Sequence, residues 1–417
     1  MNNLSQILLV TILSVMLCAC DLSISNSHSS NQNNSGKLNA GAGAPTFEAG
    51  DCNANTAGVN WDALMDKNCP RLSDYNLFKL ASDPTAQPNS GGVPYDLSVQ
   101  LFTDYATKYR FVFIPENVKA NFNESEVLDF PVGTVLVKTF AMPENTAFRD
   151  GPELIIETRL LIHRPHGWVA LPYYWNPDDN GTDAELAALG VDIPNMSTIH
   201  NGANLAFTYT VPDWTACTSC HAKLSSGVST FIPIGPKARY LNKDYTYDNS
   251  YTVNQLMRWA EGDILEGLPV DTTTVMETIQ FNDSLVVSAL TNDELNDAAK
   301  AYLDINCAHC HRSELTLGEG YSGPAGSSGL QVEYNREYAA DPTKFGTCKV
   351  AVAGGAVDYP YDVIPTDAAR SYLLFRMNTN DPRHRMPELG RATVHQEGVE
   401  LIEAWINNLP VASCSPQ

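Results

Sequence analysis

The chain spells Cys-Xaa-Xaa-Cys-His twice, at Cys217 to His221 ("CTSCH") and at Cys307 to His311 ("CAHCH"). These two words take four of its ten cysteines and three of its nine histidines. Thiols three residues apart can add to the two vinyl groups of a haem, and the imidazole that follows is then set against one face of the iron. The pattern therefore predicts two c-type haems, held by Cys217, Cys220, Cys307 and Cys310, with His221 and His311 as iron ligands. His309, between the cysteines of the second word, is read as a surface histidine. Zinc bound by four thiolates and thiol–disulfide exchange are the chemical rivals, but neither requires a histidine directly after the second cysteine.

A haem of this kind belongs in an exported protein, and the N-terminus agrees. "LSQILLVTILSVML" is too short an apolar run to span a bilayer as a helix, and it ends abruptly at "CACD". Residues 1–20 read as a lipoprotein signal peptide, with Cys20, preceded by small Ala19, as the lipidated first residue of the mature chain. Cys18 follows bulky Leu17 and fits less well. The n-region carries no Lys or Arg, so plain secretion is the alternative. Residues 21–50 are polar, small and without periodicity, a tether reaching roughly 30 Å as a flexible coil. The expected location is periplasmic or outer-membrane-associated.

Setting aside Cys18, Cys20 and the motif cysteines leaves Cys52, Cys69, Cys348 and Cys414. In an oxidising compartment an even number reads as disulfides. Three pairings are possible. Cys52–Cys69 and Cys348–Cys414 are favoured because each pair then falls inside one expected domain. The formal charge of −22 argues against nucleic acid as a partner and suits steering toward a redox protein with a basic docking face.

From about residue 290 the sequence is helical. "TNDELNDAAKAYLDI" offers Thr291 and Asn292 as caps, Asp293 and Glu294 in the first turn, and one apolar face at Leu295, Ala298, Ala299, Tyr302 and Ile305. "EGVELIEAWINNLP" repeats the helical spacing at Val399, Ile402, Trp405, Ile406 and Leu409, and "DAARSYLLFRM" (367–377) supplies a third helix. Two helices flanking a haem word resemble the class I cytochrome c domain. Such a domain takes its second axial ligand from a loop, and Met386 in "HRMPELG" occupies that place. Met377, inside an apolar helical run, is the rival and reads better as core; Arg376 is a candidate partner for a haem propionate.

The segment before the first word is strand-like. "YRFVFIP", "GTVLVKTF", "ELIIETRLLIHR", "WVALPYYW" and "LAFTYTVP" are β-branched and aromatic runs broken by Pro, Gly and Asn. "FPVGTVLVKTF" followed by strands and a terminal haem word resembles the sheet haem domain of the cytochrome P-460 and cytochrome c′-β group, in which a Pro-Xaa-Gly-Thr strand carries a lysine, here matched by Lys138, and the haem is often open on its distal face. As read from the sequence alone, Lys138 is an ordinary solvated strand residue. The sixth ligand of the first haem stays open among Met196, His200, His163, His166 and Met257.

A wider resemblance covers most of the chain. "LSDYNLFK", "VPYDLSVQLFTDYATKYRFVFIP", "PVGTVLVKTF", "IETRLLIHRPHGW", "FIPIGPKARYLNKDY", "NQLMRWAEG", "YLDINCAHCH" and "RMPELG" occur in this order in a family of exported dihaem c-type cytochromes of poorly defined function. The resemblance implies an electron-transfer protein and adds no reaction. The fold class expected is α+β. An antiparallel β-rich haem domain over 51–288 precedes an all-α class I cytochrome c-like domain over 289–417. Electron transfer between partners through two covalent haems is the first functional expectation. An oxidoreductase with an open first haem, acting on peroxide or small nitrogen compounds, is the second. A β domain that docks a membrane-bound partner is the third.

Overall fold

Four of the predicted runs form the inner strands of a six-stranded antiparallel meander that follows chain order, and the fifth, "LAFTYTVP", falls in a separate two-stranded hairpin. The computed structural model describes residues 47–414, apart from 180, 226–227, 249, 314–321 and 353–357. Cys18, Cys20, the signal peptide and nearly all of the tether lie outside these residues. The strands are Gly92–Pro94, Thr107–Phe113, Val135–Pro143, Glu153–Arg164, Gly167–Tyr174 and Glu185–Leu186. Together with the helices this makes the class α+β, as expected.

Both faces of the meander are covered. Phe111, Phe113, Val135, Val137, Leu160, Ile162, Leu171 and Tyr173 pack on the segment from Val59 to Phe78. That segment is stapled by the Cys52–Cys69 disulfide, and Cys348–Cys414 forms the second one. Val112, Leu136, Leu161 and Ala170 point the other way, into a cluster that also holds Cys217, Tyr240, Trp259, Leu295, Tyr302, Ile402 and Trp405. The period of two therefore sorts side chains between two cores rather than between core and water. Residues on both sides of 288/289 contribute to that second cluster, so the expected domain boundary falls within a shared apolar core.

Thr291 caps the helix Asn292–Leu303 with a reciprocal capping box to Glu294. Leu295, Ala298, Ala299 and Tyr302 are buried along it, and a π-helical turn over Asp304–Ala308 carries the chain into the second haem word. The last helix, Gln396–Asn408, crosses it where Gly398 meets Tyr302; a Cβ at Gly398 would fall 2.3 Å from the tyrosine hydroxyl. The helix expected over 367–377 is split. A 3₁₀ turn at Ala368–Arg370 is followed by Tyr372–Met377. Ser371 makes the break: its hydroxyl bonds the Asp367 carbonyl at 2.9 Å and accepts from Ile364 N–H at 2.8 Å, competing with the helical ladder.

A buried ionic knot ties the sheet half to this helix. The Asp304 carboxylate accepts Lys237 Nζ at 3.0 Å to each oxygen, Tyr240 Oη at 2.5 Å and Tyr334 N–H at 3.2 Å, with Arg239 Nη1 at 3.5 Å. Burial alone would raise this carboxyl, but Lys237, Arg239 and the Tyr240 hydroxyl outweigh it and hold it well below its usual range.

Candidate functional site

Residues from both Cys-Xaa-Xaa-Cys-His segments line one cavity of about 500 Å³. Cys307, Cys310 and His311 form one side, Met386 and Pro387 belong to the lining, and Ser219 and Cys220 of the first segment complete an edge. Leu330, Leu373, Met377 and Val399 make the wall apolar, while Lys349, Arg376 and Arg391 add positive charge. An apolar slot with a few convergent polar groups is what a flat, dianionic macrocycle needs, and the thiols, imidazole and thioether that a c-type haem takes are all in the lining.

The orientation of each imidazole has a visible cause. His221 Nδ1 lies 2.6 Å from the Ile232 carbonyl oxygen, which can only accept, so Nδ1 carries the proton and Nε2 keeps its lone pair. Phe231 stacks on the ring at 4.7 Å. His311 Nδ1 pairs with Ser328 Oγ at 2.9 Å. Burial pushes His221 down to about 3 and His311 to about 4, the latter helped by Arg376 and Lys349, so both rings are neutral in ordinary buffers. Neutral imidazole is the metal-ligating form.

Arg391 builds the methionine loop. Its buried guanidinium donates to the carbonyls of Arg376, Met377, Thr379, Met386 and Thr393 at 2.9–3.3 Å, and to Asn380 Oδ1 at 3.2 Å. Met386 N–H in turn donates to the Arg376 carbonyl at 2.9 Å. Met377 is buried, as expected of a core residue, yet it lines the same cavity as Met386. Arg376 also faces the cavity and spends its Nε–H on the His384 carbonyl at 2.7 Å.

The first segment sits on an eight-residue helix, Trp214–His221, capped by Asp213. Across three sheet strands, Arg110 pairs in register with Lys138, and Lys138 with Arg159, so three cations share one face. Lys138 departs from the solvated strand residue expected. It is half-buried, hydrogen-bonds to nothing among the described residues, and burial with Arg159 and Arg110 pushes it down to about 7. Its charge and that of Arg159 are felt at Cys220 and His221. His309 also differs from expectation. It lines the cavity, its Nδ1 is buried without a partner among the described residues, and burial lowers it to about 4.

The two segments touch. Cys310 Sγ lies 3.9 Å from the Ser219 carbonyl oxygen, and Leu224 and Ser322 exchange backbone hydrogen bonds of 2.9 and 2.7 Å just beyond the two words. Gly323 permits this closeness: a Cβ there would meet the carbonyl oxygens of His309 and Cys310 at 2.4 and 2.5 Å.

None of the five sixth-ligand candidates for the first centre lines this cavity. His200 instead bonds Thr146 and Glu397. His163 bonds the Phe130 carbonyl and stacks on Trp168, Met196 is core, and Met257 and His166 are exposed. Against the rivals, the four motif cysteines are free thiols, and among the described residues no three motif ligands converge within 4.8 Å of one another. Burial pushes Cys307 and Cys310 up to about 12, so with no group bound both are protonated thiols in ordinary buffers.

Ser328, the Ile232 carbonyl and Arg391 are site residues that sequence reasoning missed. Each acts across the fold, and nothing in its local sequence marks it. No family model, curated protein or solved structure matches this chain.

Proposed function

We propose that the chain is an exported dihaem c-type cytochrome that relays electrons between redox partners. The observation that carries this is the direct contact between the two Cys-Xaa-Xaa-Cys-His segments at the rim of one cavity. Bound haem iron supplies one-electron chemistry by alternating between ferric and ferrous states. The residues do the rest. Cys217 and Cys220, and Cys307 and Cys310, would tether the two groups; His221 and His311 would offer Nε2 to the metal; Met386 would add a soft thioether. Lys349, which pairs with Asp362 at 2.7 Å, and Arg376 line the cavity and would be the cations within it that haem carboxylates could use; the wall between them is largely apolar.

On this reading residues 289–417 form a class I cytochrome c-like domain, supported by the helix pair Asn292–Leu303 and Gln396–Asn408 and by the Met-Pro loop. Export as a periplasmic or outer-membrane-associated lipoprotein with Cys20 lipidated belongs to the same proposal, as does a partner with a basic docking face. Among the described residues no helix is long and apolar enough to cross a membrane. Lys138, charged or neutral near pH 7 beside His221, favours a second reading in which the first haem is open and acts on peroxide or a small nitrogen compound.

Ligand challenge separates the two. Two low-spin centres that ignore cyanide and nitric oxide are the relay result; a high-spin ferric centre whose spectrum shifts with either ligand is the enzyme result. Within the same experiment, Met386→Ala removes the weak sulfur-to-iron band and lowers the potential of one centre while leaving the other unchanged. An unaltered spectrum would remove Met386 as a ligand.

A further inference from the structure

A second group of metal-competent side chains lies where four elements meet. The tip of the hairpin Val191–His200/Ala203–Val211, the turn at Tyr105, the loop at Asp283 and the start of the helix Gln396–Asn408 converge there. Ligand atoms of Asp283, His395 and Glu397 all lie within 4.8 Å of one another. His395 is only 9% exposed, and its Nε2 has no hydrogen bond among the described residues; the nearest carboxylate oxygen, Glu397 Oε2, is 3.8 Å away. That is too long for a hydrogen bond and suits two ligands of one cation.

The surroundings hold these groups in place. Tyr302 Oη pairs with His395 Nδ1 at 3.0 Å, which leaves Nε2 facing the carboxylates, and Phe102 stacks on the ring at 4.1 Å. His200 Nε2 sits 3.1 Å from Glu397 Oε1, and its own Nδ1 pairs with Thr146 Oγ1 at 2.9 Å. Tyr105 donates to Glu397 Oε2 at 3.0 Å. Asp283 is oriented by an ion pair with Arg149. Burial, together with Lys108, His200, Arg149 and Arg391, keeps His395 neutral by pushing it down to about 3.

We propose that His395 Nε2, Glu397 and Asp283 bind one divalent transition cation, with His200, Tyr302 and Arg149 orienting the ligands. One imidazole and two carboxylates make a mixed nitrogen–oxygen set suited to the manganese-to-zinc range rather than to calcium or copper(I). The ion fastens the last helix to the Asp283 loop and, through His200, to the hairpin tip.

The test uses the haem-loaded protein, whose motif thiols are consumed, after chelator treatment. Mn²⁺ and, separately, Zn²⁺ are titrated in by calorimetry, with bound metal counted by elemental analysis. One equivalent is expected, with a higher melting temperature when it is bound. Glu397→Gln and Asp283→Asn each abolish that uptake, and His200→Gln weakens it by about 10- to 100-fold. Asp283 is a half-buried loop residue, so its variant carries the test if Glu397→Gln fails to fold. No stoichiometric uptake of either metal, or unchanged affinity in Asp283→Asn, overturns the proposal.

Discussion

Asp304→Asn lowers the free energy of unfolding at neutral pH by about 3–5 kcal/mol, the usual cost of leaving buried cations without their partner. The side chain is 1% exposed, and it faces Lys237 at 3.0 Å and Arg239 at 3.5 Å. Arg239 is itself 2% exposed, so water cannot take over the role of the carboxylate. The loss has a pH signature. Because the folded carboxyl is held below its ordinary value of 3.8, the unfolded chain binds the proton first as pH falls. The stabilisation is therefore complete above about pH 4 and disappears as acid titrates the folded group. Denaturant unfolding at neutral pH and again below pH 4 checks this: the gap between wild type and variant narrows in acid. A gap that stays constant would mean that the charge is not what the knot depends on. The change lies three residues before Cys307, so the variant also loosens the turn that presents the second haem word.

Arg391→Ala has an effect of similar size, about 3–5 kcal/mol, for a different reason. Five carbonyls and one amide oxygen lose a charged donor carried by a side chain that is itself buried. Arg391→Lys recovers only part of this, because an ammonium cannot reproduce the planar fork that reaches both Arg376 and Thr393. The loop carries Met386, so the variant also weakens the sulfur-to-iron band described above, although Met386 itself is intact. Thermal melts combined with near-infrared spectra measure both. A stable Arg391→Ala protein with an unchanged band would show that the loop is held by something else.

Much of the architecture is written locally. The strand Glu153–Arg164 coincides with its β-branched run, and Thr291 caps the helix before Cys307 as its spacing suggests. The observed disulfides are the favoured one of the three pairings left open once Cys18, Cys20 and the motif cysteines are set aside, each joining cysteines within one expected domain. What the residues could not announce depends on distant neighbours. The strand Val191–His200 contains Pro194 and shifts register between Ile193 and Met196, which breaks in the sequence the alternation that its buried face at Met196, Thr198 and His200 otherwise follows. Ser371 looks like a helical residue until the carbonyl of Asp367 competes for its hydroxyl. Lys138 becomes unusual only when register sets it between Arg110 and Arg159. His200 stays among the open ligand candidates in the sequence because Glu397, nearly two hundred residues later, has no mark in its own sequence. The contact between the two haem words is of the same kind, made by Ser219 and Cys310 across a fold that neither word encodes.

The account stands on covalent haem at both words. Purified from an exporting host with a cytochrome c maturation system, the protein should give a pyridine haemochrome spectrum of the c type corresponding to two haems per chain. It should keep that colour through acid-acetone extraction, and mass analysis should place the groups on the peptides containing Cys217/Cys220 and Cys307/Cys310. A colourless protein, or pigment that leaves with the solvent, would contradict it.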